Sequence, residues 1–562
     1  TAPADELQQY IWNSGLDRTL GRAVEQFQAS GQAEIRLELD VPLGKDRRAM
    51  EELQVRGDII FSDNELFFPI ADYLVTDING KMSFTTTCLL GEDIRGKFYG
   101  QPVNVAVRQS EDETNPETLF YISGNWEVAS LLRRFDWSYP SILDGSSHWD
   151  VVMHVPHKST DYNVMFEATS TLEGVNIGVS NIIHKPAGQR VPVSINLKML
   201  GDVRRLNVTS TDRLDLTTTF DDDNNWQFDV SSPVITGKGE LNANFDVDTT
   251  GKFDLEFLNL SAFMTGDGAT ARKWKLKASN IPSLRLKTKT LVWQDWRLSN
   301  VGFEADHHPR GMVINNISID DPYLQVSGKG SWLRRSWRLD EETTLSFKLS
   351  SENMGDALQH LGYSRYVDKS RAQAELNWQW PGAPYRFSWG SLTGNTSVEF
   401  ENGIVSNIDP GAGGRFLGLF NLLHLPRRLS LDFADVYKKG FVFDSIKGTY
   451  IFGGGDAVTQ DTEITASAAD LTMMGRIGVE DQDYDLIAIV RPHSSVATLA
   501  GGTLIAGPTI GVGLMLLQEI FEIDLIGKDI HTIKGSWSDP VVKSMSSDSD
   551  KEGPEDLFDD FE

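Results

Sequence analysis

"AEIRLELDVPL", residues 33–43, sets the reading of the whole chain. Ile35, Leu37, Leu39, Val41 and Leu43 fall on one side of it, and Glu34, Arg36, Glu38 and Asp40 on the other. Only an extended strand separates neighbours at a period of two, so the stretch is a strand with one oily and one wet face.

The same alternation returns along the chain. "VPVSINLKM" places Val191, Val193, Ile195, Leu197 and Met199 together, and "ELNANFDVD" does so with Leu241, Phe245 and Val247. "KFDLEFLNL" aligns Phe253, Leu255 and Phe257, and "RLDLTTTF" and "WQFDV" fit the pattern. Between them stand "DING", "DDDNN" and "DTTG", read as turns. Helical spacing is confined to a lead-in over residues 1–30 and to segments near 352–363 and 411–425, besides an apolar segment near the C-terminus. The expectation is a mainly β protein of roughly 25–30 antiparallel strands. At about 4.8 Å per strand the sheet would run on the order of 120–140 Å. Open sheets of that size must curl, close or split. The apolar face is then either sandwich core or the lining of an open hydrophobic groove. Alternation alone fits both, although no long Pro/Gly/Ser linkers separate would-be sandwich domains.

Composition excludes several functions. The 562 residues carry a formal net charge of −28 and no basic stripe, which argues against a nucleic-acid partner. Cys88 is the only cysteine, so neither an intrachain disulfide nor a Cys-built metal site is possible. The pairs His154/His157 and His307/His308 lack companions at ligand spacing, so no metal site is expected. No P-loop, dinucleotide fingerprint or nucleophile elbow appears, and "FGGGD" (452–456) reads as a hairpin turn. No catalytic residue and no cofactor are expected; a carboxylate pair of the glycosidase kind is the enzymatic alternative, and a non-catalytic scaffold of stacked sandwiches the structural one. The last stretch, 544–562, reads as a disordered acidic tail.

Residues 403–450 carry the most specific pattern. A strand enters the glycine turn Gly411–Gly414; a short apolar helix runs from Arg415 through Gly418 to about His424 and stops before Pro426. Arg427 and Arg428 follow where cations favour a helix C-terminus, and alternation resumes with Leu429, Leu431 and Phe433. "DPGAGGRFLGLFNLLHLPRRLSLDFADVYKKGFVFDSIKG", including Asp432, Gly440 and Phe441, resembles the signature of the C-terminal AsmA-like region of YhdP-type proteins. "WQWPGAP" (378–384), "ASAADLTMMGRIGVEDQDYD" (466–485) and "GSWSDPVV" (535–542) match in order, and "LDVPL" and "DINGKMSFTTT" are similar to an earlier portion. The resemblance implies a bridge-like lipid-transfer protein of the Gram-negative envelope. It implies a long, continuous, twisted antiparallel sheet curled into an open hydrophobic groove that carries phospholipid across the periplasm to the outer membrane. It also implies an upstream anchor helix in the inner membrane, outside this chain, and contacts with envelope proteins. On that reading 31–350 and 351–543 are two portions of one groove. Ile35, Leu37, Leu39, Val41, Val193, Ile195, Leu197, Leu241, Phe245, Val247, Phe253, Leu255, Phe257, Leu429, Leu431 and Phe433 line it.

"GGTLIAGPTIGVGLMLLQEIF" (501–521) is the most apolar stretch. Its glycines, threonines and Pro508 make a poor membrane span. From Ile510 the spacing Leu514, Leu517, Phe521 forms one helical stripe, expected to meet the outer-membrane surface as an interfacial helix over about 505–526, with a buried core helix as the alternative.

Overall fold

The computed structural model describes residues 2–4, 6, 28–40, 54–68, 73–85, 88–98, 100–112, 114–128, 143–158, 160–178, 183–211, 213–244, 246–264, 277–335, 340–405, 441–467, 469–493 and 529–544. These hold 32 strands and very little helix, as the alternation requires. The chain divides into two units. Residues 1–244 with 253–275 form the first, and 245–252 with 276–562 the second.

In the first unit each long strand pairs antiparallel with the next in sequence. The order runs from Gln32–Asp40 through Gln54–Phe68, Tyr73–Thr85, Leu89–Phe98, Gln101–Gln109, Glu117–Glu127 and Leu143–Pro156 to Val164–Ser170. It continues through Val193–Leu200, Val203–Ser210, Leu214–Phe220 and Asn225–Ser231 to Ile235–Asn242. Two short strands, Val175–Gly178 and His184–Lys185, make a flap on the start of Leu143–Pro156. Lys185 closes this flap: its buried ammonium donates to the carbonyls of Leu172 and Val175, both at 2.7 Å.

The second unit repeats the plan from Ser283–Trp293 to Val541–Ser544. The helix Met354–His360 lies within the 352–363 segment, where Asn353 caps it by accepting from the Gly355 amide. "FGGGD" is a hairpin: Gly453 pairs with Asp456 across Gly454 and Gly455, both at positive φ. Among the described residues no pairing closes either sheet on itself, so the expectation of open, mainly β antiparallel sheet holds. The curl into a groove is taken up under the proposed function.

Three sequence expectations are corrected. The lead-in over 1–30 is not helical throughout, because Ala2–Pro3 and Gln28–Ser30 are strands paired with Gln32–Asp40 and Gln54–Phe68. "DING" is not a turn; Asp77–Gly80 lies inside the strand Tyr73–Thr85. Asp77 takes φ 52° and the register slips between Thr76 and Asn79, so the local preference for a left-handed residue forms a bulge instead. Bulges recur at the same level in the neighbours, at Asp63 (φ 54°) and Asp93 (φ 57°), with Gly31 (φ 95°) interrupting the strand before them. Asn79 ties two of them, donating to the Asp63 carboxylate at 2.9 Å. Val247 is also not on a strand. The strand ends at Asn242, whose side chain accepts from the Asn244 amide at 3.0 Å, and Asp246 repeats the motif on the Asp248 amide. These turns remove Val247 from the sheet face. Phe245, Val41, Leu429, Leu431, Phe433, the 406–440 signature with its Gly411, Gly414, Arg415, Gly418, Pro426, Arg427, Arg428, Asp432 and Gly440, and the segment holding Ile510, Leu514, Leu517 and Phe521 lie outside the described residues. Phe441 opens the strand Phe441–Gly453, and Leu39 lies in Gln32–Asp40.

Candidate apolar face and its edges

The strand register turns the sequence pattern into rows of side chains. In the first unit one row crosses Ile35, Ile59, Met82, Gly91, Val107, Phe120 and Met153. It goes on through Phe166, Leu197, Leu206, Thr218 and Phe228 to Gly239. A second row runs Val105, Ile122, Val151, Ala168, Ile195, Val208, Leu216, Val230 and Gly237. Every directly opposed pair on these rows is within packing reach. Beyond Gly237 the row meets Leu255: a Cβ on Gly237 would stand 2.6 Å from the Leu255 Cα, so glycine lets the strands close up.

Burial changes along the rows. Ile59, Met82, Val107, Phe120 and Met153 are buried in one filled cluster, with Ile35 packed at its margin and Leu37 44% exposed. From Val193 onward much of the same face is only half covered, although Met199, Thr218 and Val230 are buried. Ile195, Leu197, Leu206, Val208, Leu214, Leu216, Phe228 and Leu241 are all intermediate, as are Phe253 and Phe257, while Leu255 is buried. A sandwich core would bury them as fully as Met153. The second unit shows the same contrast. Leu286, Phe303, Ile317, Phe347 and Leu376 share one half-covered row, whereas Phe400, Phe443, Ile446 and Leu486 belong to a filled cluster. The structure thus brings Val193, Ile195, Leu197, Leu241, Phe253 and Phe257 into the first unit's partly open zone, buries Leu255 between Phe253 and Phe257, and sets Ile35 and Leu37 beside the filled core.

The opposite faces are laced with cross-strand ion pairs. Lys81 meets Asp58 at 2.9 Å and Lys348 meets Glu375 at 2.6 Å. The Ser83 hydroxyl, then Lys81, holds the Asp58 carboxyl below its usual value. One cavity, of about 1000 Å³, opens on this polar side, lined by Thr169, Ser194, Thr209, Arg190, Arg213 and Asp215 among others. Hydroxyls and charges share this lining with Val193 and Leu214, each at the start of its strand.

The histidines find structural roles. His154 sits 2.9 Å from Glu117, which also accepts from the Tyr162 hydroxyl, and His157 bonds the Thr118 hydroxyl at 2.9 Å. This clamp holds His157 and Tyr162 to the strand Glu117–Glu127; it is invisible in the sequence because Glu117 is remote along the chain. Among the described residues no group of three or more His, Cys, Asp or Glu is placed to hold a metal, and no helix is long and apolar enough to cross a membrane.

Comparison with known proteins bears on this arrangement. The family model described as YhdP protein matches residues 1–228 and 200–542. The chain is similar to the intermembrane phospholipid transporter YhdP of Escherichia coli (strain K12), with 21% identity over 98% of this chain and 50% of the relative. It therefore spans about half the length of that relative. No solved structure matches.

Proposed function

The chain belongs to the YhdP protein family, and from that premise we propose that its half-covered apolar faces carry phospholipid acyl chains between the two membranes of a Gram-negative envelope. The observation that carries this is the incomplete burial of the rows through Leu206 and Phe303, in sheets whose other strands pack into filled clusters. Acyl chains would complete those rows while headgroups stay in water. Each methylene removed from water is worth about 0.8 kcal/mol, so two chains of about 16 carbons resist leaving by well over 15 kcal/mol. A path on which they never leave removes that barrier without chemistry, a nucleophile or a cofactor. The sheet is open, and a trough would take its curl from the aligned bulges at Asp63, Asp77 and Asp93, because each bulge bends its strand. The segment with Ile510, Leu514, Leu517 and Phe521 is our candidate for the contact with the outer membrane, and an anchor upstream of Thr1 our candidate for the inner one.

The test is direct. Native mass spectrometry of the purified chain should reveal co-purified phospholipid, and photo-crosslinkers at Ile195 and Leu206 should label it while one at the outward-facing Thr209 should not. A chain free of lipid, with no labelling at the apolar positions, would end this reading.

A further inference from the structure

Buried indole N–H groups divide the two units. In the second unit Trp332 donates to Glu341 at 2.9 Å, Trp378 to Thr396 at 2.8 Å, Trp380 to the Ala383 carbonyl at 3.2 Å and Trp537 to the Asp483 carbonyl at 2.9 Å. In the first unit Trp126 and Trp149 are 6% and 7% exposed, and their Nε1 atoms are shut off from solvent with no hydrogen-bond partner. A buried donor without an acceptor is unusual and calls for a cause.

The two lie together on the apolar side. Gly124 pairs with Trp149, and a Cβ on Gly124 would stand 2.9 Å from the Trp126 Nε1, so the pyrrole edge of Trp126 lies over that glycine. Phe98 meets the Trp126 ring edge-on at 5.6 Å. Val103 packs in the same cluster, flanked by Leu172, Val193 and Ile195. Ile195 belongs to the half-covered row. The nearby hydroxyls are already engaged: Ser147 and Ser170 bond each other at 3.0 Å, and Ser170 also donates to the His148 carbonyl at 2.7 Å. Two donors are thus held under an oily wall beside Val193 and Ile195, where a ligand reaches them only as the side chains over them part.

We propose that Trp126 and Trp149 form a polar anchor for a diacyl glycerophospholipid, donating to an oxygen of its ester or phosphate region while the acyl chains follow the row through Ile195 and Val208. The inference rests on the reading of that face as lipid-bearing. It adds that the path is not uniformly greasy: at this point it grips the polar end of the lipid and fixes which way the molecule lies. Acceptors of this kind belong to a lipid and not to a hydrocarbon, so the anchor separates phospholipid from free alkyl chains.

The experiment uses the full chain with 15N-labelled indoles, the two resonances assigned by Trp126→Phe and Trp149→Phe. Dihexanoyl phosphatidylcholine, its diether analogue and decane are added in turn. Movement of both indole signals with the ester lipid alone identifies the ester carbonyl as acceptor; movement with both lipids identifies the phosphate; either supports the anchor. Signals that stay fixed with both lipids, or move equally with decane, overturn it. Each Phe variant should also lose about tenfold in phosphatidylcholine affinity, the size of one hydrogen bond, with decane binding unchanged. If the wild type binds phosphatidylcholine through Ile195 and Leu206 but the indoles never respond, the anchor fails and the lipid path stands. If it binds none, both fall.

Discussion

Placing a carboxylate in the middle of the half-covered row is the most searching perturbation. Val208 pairs with Ile195 on one side and Leu216 on the other and is itself half-buried. In the lipid-free chain the introduced carboxylate can reach water, so the folding cost of Val208→Glu should stay near 1 kcal/mol. With lipid bound it cannot. An acyl chain crossing the strands covers about 4.8 Å per strand, on the order of four methylenes. Losing their burial costs about 3 kcal/mol, before any charge is stripped of water. That is about a hundredfold in affinity. The control is one residue away: Thr209 points to the opposite, exposed face, so Thr209→Glu adds the same charge to the same strand without touching the row. Titration of the purified proteins with a fluorescent phospholipid, alongside thermal melts, reads both effects. Wild-type affinity in Val208→Glu, or an equal loss in Thr209→Glu, would refute the assignment of the path.

Two further outcomes follow from burial. Met153 and Leu206 sit on one row, but Met153 is 3% exposed and Leu206 half-buried. Met153→Ala should cost about 2–5 kcal/mol in urea unfolding and Leu206→Ala about 1, and equal costs would mean that the face is an ordinary closed core. Burial also holds the His157 imidazole below its ordinary value, against the opposing pull of Glu117. A base with a depressed folded value contributes stability that is present above about pH 6.5 and lost as pH falls through the folded value. Thermal melts of the wild type should therefore decline in mild acid, and His157→Gln, which can keep a bond to Thr118, should flatten that decline. An unchanged slope would remove His157 from the account.

Strand existence, the antiparallel order and the apolar parity were legible because period-two alternation is written in adjacent residues. The degree of cover was not. Ile59 and Leu206 stand in similar alternating runs, yet one is buried in a filled cluster and the other half-open. What differs is what lies over them, a property of residues far off in sequence. The indoles teach the same lesson. Trp378 has Thr396 within reach on the neighbouring strand, whereas Trp149 faces Gly124 on one side and an engaged Ser170 on the other. Nothing local to either tryptophan announces the difference.

The bulges mark where local reading and tertiary pairing part, and they can be tested by backbone chemistry alone. "DING" carries the left-handed preference of a turn, and the structure uses it in mid-strand because both flanks of Asp77 find partners. At φ 52° a β-branched residue is strained by about 1–2 kcal/mol, while glycine is not. Asp77 also pairs with Lys97 at 2.8 Å, an exposed contact that any neutral replacement removes. Asp77→Gly and Asp77→Val therefore lose the same ion pair and differ in the bulge. If the left-handed bend is built into the sheet, the valine variant should unfold about 1–2 kcal/mol more easily than the glycine variant, less glycine's own entropic cost of about 0.5–1 kcal/mol. Repeating the pair at Asp93, one strand along, should give the same sign. Valine matching or exceeding glycine at both sites would mean that these strands run straight, and a trough bent along this line would lose its mechanism.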